Sequence, residues 1–497
     1  MLTALLRAFE ESFMCPLFLN LHRFTSFLIA AVISVTVACS GTKPLEVERG
    51  TEYNDSYHRD EDGHPELRLT AMGFLNETDV GVITVTADIE NRSLIYRHLD
   101  GKTSADIEMA ITIVGREGMR YIETFTETKT IENEVYGPLI FANVTRYEKD
   151  IEVPPGRYAV YFSITDKASD SETIREVYTT VPDPGEEIVD LTSIQLFAKS
   201  PDKPEKEFEP ITTYNVSTQN DSLRFVVQVA NTRPGEPLLL RSRLIRFDSD
   251  TTSARWASQP DYSVSSLPYR GIDYRDEENV EQTQRILDQS GIVMIEFNYE
   301  RPERGNYRFE VAAERADGEE EILRGRDFSI KGENFPRVES PRELAEPLVY
   351  LMNERDYEKM MAIEDPDKLK EAVDRFWLEN VGSMNRAKEV ISRYYERVEE
   401  ANRQFSNFKE GWKTDRGMIY ILFGPPVRIQ RYLNAQHWLG SAEMRDRRYN
   451  FMFRRTRIPS DHYPFDNYIL QRNQAYHTYQ YQQVQLWLTG RILNATM

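Results

Sequence analysis

The chain has 497 residues, a formal net charge of −20 and two cysteines, Cys15 and Cys39. This length is ample for three domains. Cysteines confined to the first 39 positions exclude a disulfide scaffold, a cysteine metal site or a thiolate nucleophile beyond Cys39, so ordinary core burial must hold the domains together.

Residues 24–38 are apolar apart from scattered Ser and Thr, follow His22-Arg23, and end at Thr36-Val37-Ala38-Cys39-Ser40. The run is short for a membrane-spanning helix, which needs about 20 such residues. The pattern resembles a bacterial lipoprotein signal over 1–39, cleaved before Cys39 with lipid on its thiol. Thr36 departs from that pattern, which prefers Leu, Val or Ile there, and the long segment carrying Glu10 and Glu11 points to Met14 as a second start. An uncleaved anchor and a plain secretory signal are the competing readings. The resemblance implies an exported, membrane-anchored lipoprotein on the outer membrane or facing the periplasm. Residues 40–63 then read as a polar tether, rich in Glu and Asp, that lifts the domains off the membrane. Its Asp60-Glu61-Asp62-Gly63 cluster invites a calcium reading, but His58 stands where an EF-hand loop opens with Asp and the closing Glu is missing.

Two β-rich stretches come next, 64–183 and 186–331, joined by Pro182-Asp183-Pro184-Gly185. In the first, Val82, Thr84 and Thr86, then Ile107, Met109, Ile111 and Ile113, alternate with polar residues or continue a strand run; in the second, Leu223, Phe225, Val227 and Val229 do the same. Both stretches finish alike. Pro155-Gly156-Arg157-Tyr158 and Arg304-Gly305-Asn306-Tyr307 each begin a strand, with Asp166 or Asp317-Gly318 at the next turn. This weak internal repeat predicts two immunoglobulin-like antiparallel β-sandwiches.

Residues 340–497 are expected to form a mainly helical domain with strands, helices to about 405 and then a turn and strands. Ser340-Pro341-Arg342-Glu343 carries an N-cap, a first-turn proline and the Glu of a capping box, and Pro347 should shorten the ensuing helix. Asp365-Pro366 repeats the signal before Leu369, Val373, Phe376 and Trp377. A third helix presents Met384, Ala387, Ile391, Tyr394, Val398, Ala401 and Phe405 at alternating spacings of three and four.

The most distinctive segment is Gly411-Trp412-Lys413-Thr414-Asp415-Arg416-Gly417, running into Met418-Ile419-Tyr420-Ile421-Leu422-Phe423 and stopping at Gly424-Pro425-Pro426. The six apolar residues read as a strand ended by the prolines. The two motif glycines suit positive φ or close backbone approach, Thr414 and Asp415 satisfy free N–H groups, Arg416 pairs with a carboxylate such as Asp415, and Trp412 anchors the turn. A phosphate-cradling loop is disfavoured, because such a loop opens a helix and carries GxxxxGK[ST]. The motif, together with Arg393-Tyr394-Tyr395-Glu396-Arg397-Val398, Ala401-Asn402 and Phe405 upstream, resembles the GWxTD-domain proteins of bacteria over about 340–429. That resemblance implies no particular reaction. It leaves the motif as a structural turn or a docking site.

Residues 401–497 hold 14 Lys and Arg against 6 Asp and Glu, a net of +8. Arg445, Arg447, Arg448, Arg454, Arg455 and Arg457, interleaved with Tyr449, Phe451 and Phe453, form a candidate anion-binding patch for a lipid headgroup or acidic glycan; nucleic acid is not expected for an exported chain. Pairing with the acidic β-domains is the structural alternative. The Gln/Tyr-rich segment 474–483 leans to a strand. His437, His462 and His477 match no metal-ligand spacing, there is no nucleophile elbow or dinucleotide turn, and no cofactor is implied. A glycosidase-like carboxylate pair is neither proposed nor excluded by so many acids. Two functions remain: a lipid-anchored scaffold docking an envelope protein, or an envelope hydrolase acting on glycan or peptide with Lys413, Asp415, Arg416 or Tyr420 in its site.

Overall fold

The computed structural model describes residues 65–99, 102–116, 122–133, 144–185, 188–201, 208–233, 237–315, 321–432, 434–440, 450–456 and 467–494. All belong to one compact unit, Val47–Met497. Cys39 and the stretches expected to be signal and tether lie outside the described residues, as do Arg445, Arg447, Arg448, Arg457, His462, Asp317 and Gly318.

Eight strands come first: β1 (Leu67–Leu75), β2 (Gly81–Glu90), β3 (Arg97–Leu99), β4 (Lys102–Gly115), β5 (Ile122–Asn133), β6 (Val144–Glu152), β7 (Gly156–Asp166) and β8 (Ser171–Val181). A sheet ordered β1-β2-β6 faces one ordered β3-β4-β7-β8, with β5 on β4, and all pairings are antiparallel. The two sheets share one apolar core. On β4 the core face is Ile107, Met109, Ile111 and Ile113, as the alternation predicts. On β2 the core takes Ile83, Val85, Ala87 and Ile89, while the alternate positions Val82, Thr84 and Thr86 lie on the opposite face, where Val82 and Thr86 are also buried.

Ten more strands form a second pair of sheets: β9 (Val189–Leu191), β10 (Gln195–Lys199), β11 (Glu209–Pro210), β12 (Asn215–Val216), β13 (Ser222–Asn231), β14 (Leu238–Ser249), β15 (Ile272–Leu287), β16 (Gly291–Glu300), β17 (Gly305–Arg315) and β18 (Glu321–Ile330). The orders are β11-β10-β13-β16, with β9 on β13, and β12-β18-β17-β14-β15. Leu223, Phe225, Val227 and Val229 point into their shared core, where Phe225 stacks on Phe309 at 4.2 Å. The two halves of the internal repeat close alike: the Tyr158 hydroxyl donates to the Pro154 carbonyl and the Tyr307 hydroxyl to the Glu303 carbonyl at 2.8 Å, each four residues back. Asp166 ends β7 by accepting the Ala168 N–H at 2.7 Å, the Asx chemistry of a turn.

The remainder is helical with one small sheet. Helices α1 (Pro341–Ala345), α2 (Glu354–Met361), α3 (Pro366–Val381) and α4 (Met384–Phe405) come first. The capping box at Ser340 forms, and Pro347 turns the continuation of α1 into a 3-10 segment over Glu346–Tyr350. Trp377 on α3 packs edge-on to Tyr394 on α4 at 5.4 Å, and Tyr394 edge-on to Trp487 at 5.2 Å. Met384, at the start of the predicted seam, is exposed.

Two elements differ from expectation. Residues 415–423 are a helix, α5 (Asp415–Phe423), not a strand. A six-residue apolar run gives no period to choose between the two, and a helix buried nearly all round reads the same way. Gly424, at φ 87°, and the two prolines stop that helix rather than a strand. The Gln/Tyr-rich segment is also a helix, α6 (Tyr476–Leu488). Its buried positions Gln480, Gln483, Val484 and Trp487 have helical spacing, disguised by glutamines that bond to backbone. Between α5 and α6 run β19 (Arg428–Tyr432), β20 (Ala435–Leu439), β21 (Asn450–Arg455) and β22 (Tyr468–Leu470), an antiparallel sheet in that order. The domain therefore alternates helix, sheet and helix after residue 405.

The segment between β14 and β15 ties the second sheet pair to this domain. Ala254 and Ala257 enter the helical core, the Ala257 N–H donates to Gln480 at 2.9 Å, and Phe408 packs with Tyr214, Ile245, Phe247 and Ile272.

Candidate functional site

The motif is built as a 3-10 turn over Gly411–Lys413 leading into α5, with Thr414 between. Thr414 caps the helix: its Oγ1 accepts the Gly417 N–H at 3.0 Å and donates to the Gly411 carbonyl at 2.7 Å. A Cβ on Gly411 would lie 1.8 Å from the Ala401 carbonyl oxygen, and one on Gly417 would lie 1.9 Å from that of Gly411. Close backbone approach, rather than positive φ, requires both glycines.

Asp415 faces inward from the first turn of α5. Arg472 grips it bidentately, Nη2 to Oδ1 at 2.6 Å and Nη1 to Oδ2 at 2.9 Å, and the Leu470 N–H adds a third bond at 2.8 Å. The pair is shut off from water, with the Arg472 side chain at 0% exposure and Asp415 at 4%. Burial opposes the Arg472 charge, but Asp415 and Tyr262 hold it above its ordinary value, and the Tyr262 ring stacks 4.4 Å away. The expected pairing of Arg416 with Asp415 is replaced: among the contacts of Arg416 are the faces of Phe405 and Tyr468, at 5.3 and 4.9 Å. Trp412 is buried, its backbone N–H donating to the Asn402 side-chain oxygen at 3.2 Å and its carbonyl accepting from the Tyr350 hydroxyl at 2.8 Å. The α5 carbonyls end on side chains: Leu422 accepts from Gln483 and Trp487 at 2.8 and 3.0 Å, and Ile421 from Arg397 at 3.1 Å. Burial lowers the Arg397 guanidinium to about 10. Tyr420 packs edge-on to Phe405.

Of the four proposed hydrolase residues, Lys413 lines a cleft. This cavity of about 610 Å³ lies between the second sheet pair and the helical domain. Its floor holds the buried side chains of Lys331, Lys409, Glu410 and Lys413, and Arg304 flanks it, while Asp248, Asp276 and Glu278 stand on its exposed rim. Glu410 receives the Arg304 guanidinium and lies 3.2 Å from the Lys413 ammonium. Burial would raise this carboxyl, but Lys413, Arg304 and Lys331 bring it down to about 2. Lys409 pairs with buried Asp250 at 2.5 Å, and Lys331 donates to the Asn407 carbonyl at 2.6 Å.

Sequence reasoning missed Glu410, Arg304, Lys331 and Arg472. Glu410 abuts the motif and carried a signal; Arg472 is separated from its partner by the whole small sheet and carried none. Of the arginine patch, Arg454 and Arg455 are exposed at the end of β21, while the interleaved Phe451 and Phe453 turn into the core. His437 lies on β20 and His477 on α6. Among the described residues no group of three or more His, Cys, Asp or Glu is placed to hold a metal ion, and no helix is long and apolar enough to cross a membrane.

No curated protein matches the chain. Among solved structures it is similar to red sea bream transglutaminase, at 9% identity and a TM-score of 0.18 over 55% of this chain and 32% of that one. It is likewise similar to a Salmonella alpha-2-macroglobulin reacted with methylamine, at 12% identity and a TM-score of 0.18 over 57% and 18%. The chain thus spans about a third or less of the structures it matches. Residues 315–489, which contain the Trp412 turn, the Asp415–Arg472 pair and one wall of the cleft, match the GWxTD domain model, and the chain belongs to the GWxTD domain-containing proteins.

Proposed function

We propose that this is a lipid-anchored envelope scaffold: a lipid at Cys39, two immunoglobulin-like sandwiches as spacer, and the GWxTD domain as the part that docks an envelope protein. The observation that carries it is the motif's own bonding. Thr414 and Asp415 spend their side-chain polar groups inside the domain, and Trp412 is held by its buried ring and its backbone N–H, which is what a rigid docking platform needs and the opposite of a constellation awaiting substrate. The paired Tyr158 and Tyr307 contacts support the immunoglobulin-like assignment, since a tyrosine bonding back to the chain just upstream marks the corner of such sandwiches. Arg454 and Arg455, exposed within the basic stretch 401–497, supply the docking surface.

The test is a fatty-acid probe and an in-cell cross-link on the wild type, Cys39→Ser and Arg454→Glu/Arg455→Glu, with folding checked by circular dichroism. Label that depends on Cys39 and a stoichiometric envelope partner lost in the arginine variant are expected. Absence of both would remove the proposal.

A further inference from the structure

Strand β15 is the edge of its sheet: among the described residues it pairs with β14 and with no strand on its other side. An open edge is a template for another strand unless it is blunted. The first half of β15 is blunted. Asp276, Glu277 and Glu278 stand in a row there, the register breaks beside Phe247, and a second break beside Leu244 leaves Val280 as the extra residue of a bulge. Over 281–287 the register against β14 is unbroken, and every side chain from Glu281 to Ile286 is exposed. Glu281, Thr283 and Arg285 lie opposite Leu244, Ser242 and Leu240, on the face that is core in β14, and Arg285 reaches 5.5 Å over the Phe297 ring. Glu281 and Arg285 are four residues apart on one strand, about 13 Å, too far to pair with each other.

We infer that β15 pairs antiparallel with β15 of a second copy of this chain, across a two-fold axis at Thr283. Alternate residues of an antiparallel strand direct their N–H and C=O groups to the same side, so two identical edges meet only where residues an even number apart are opposed. Centred on Thr283, the pairing sets Glu281 opposite the second copy's Arg285 and Arg285 opposite its Glu281. Val280 meets Ile286, apolar side chains that are 46% and 64% exposed, and Gln282 meets Gln284. Opposite charges and apolar pairs directly across a ladder are the stabilising ones. The neighbouring registers lose this match: centred on Gln282 or Gln284, Arg285 faces Asn279 or Thr283. The acids at 276–278 fall beyond the end of the opposing strand at Leu287, which limits the ladder to 279–287. Such an interface uses the same patch on both copies and therefore closes as a dimer, carrying two GWxTD domains. This goes beyond the scaffold reading and stands without it.

Sedimentation of the full chain in a density-matched detergent, over about two decades of concentration, tests the pairing. A reversible equilibrium between monomer and dimer is expected. Glu281→Arg and Arg285→Glu each oppose like charges twice and should weaken association about thirtyfold. Mixed in equal amounts, the two variants should dimerise as well as wild type, because each then meets the opposite charge, and the double variant Glu281→Arg/Arg285→Glu should do so by itself. Both side chains are exposed, so the variants keep the fold. A wild type that stays monomeric, a dimer indifferent to either reversal, or single variants that do not recover on mixing overturns the inference.

Discussion

The two halves of the motif have opposite surroundings although they are adjacent in sequence. Asp415 meets one guanidinium in a dry, bidentate pair whose every oxygen is used. Two residues earlier Lys413 meets Glu410 at the edge of a cleft whose lining carries charges of both signs. A closed pair holds the chain in place; the pair at the cleft's edge shares Glu410 with Arg304, which water reaches. The turn is therefore a hinge of roles: its C-terminal half fastens α5 to β22, and its N-terminal half presents the cleft wall.

The sharpest way to break that comparison is to remove the close approach on which both halves depend. Gly417→Ala puts a methyl 1.9 Å from the Gly411 carbonyl oxygen, backbone against backbone, with no flexible side chain to move aside. Destabilisation of about 4 kcal/mol or more is expected, read as loss of the helical domain's thermal transition by circular dichroism. A melt within a degree or two of wild type would mean that the turn is looser than its geometry.

Asp415→Ala tests the closed half alone. It strands a fully buried guanidinium, which costs about 3–5 kcal/mol. The double change Asp415→Leu/Arg472→Met should recover much of this in a denaturant melt, because two apolar groups leave no charge behind. A double variant no more stable than Asp415→Ala would show that the pair's bonds, not its stranded charge, hold the turn.

The legibility of each element depends on where its signal lives. Ser340, Asp365 and the 384–405 periodicity are local, and the helices they announce are present. The strand ends at Gly156 and Gly305 were local too, though not that Tyr158 and Tyr307 would make matching bonds. By contrast α5 is buried on almost every side, so its apolar run lost the period that marks a helix, and in α6 the inward Gln480 and Gln483 look like surface residues until their backbone partners, Ala257 and Leu422, are known. The site depends on pairings across long stretches of chain. Asp415 with Arg472, Lys409 with Asp250 and Glu410 with Arg304 exist only once the sheets and helices are assembled.

The open half gives the smallest effect and the one with a pH signature. Glu410 ionises at about 2 in the folded chain against an ordinary 4.5, so the unfolded state takes up a proton first as the solution is acidified. Its stabilisation is fully present above about pH 4.5 and is lost as pH falls toward 2, on the order of 3 kcal/mol in all. Other carboxylates titrate in the same range: hydrogen bonds from Asn334, Ser340 and Glu339 outweigh burial to lower Glu343, and Asp273, beside Arg270, lies at about 2. The informative quantity is therefore the difference between wild type and Glu410→Gln, measured by denaturant melts from pH 7 to pH 2.5. That difference should be largest at neutral pH and shrink through the acid range, because glutamine has no charge to lose.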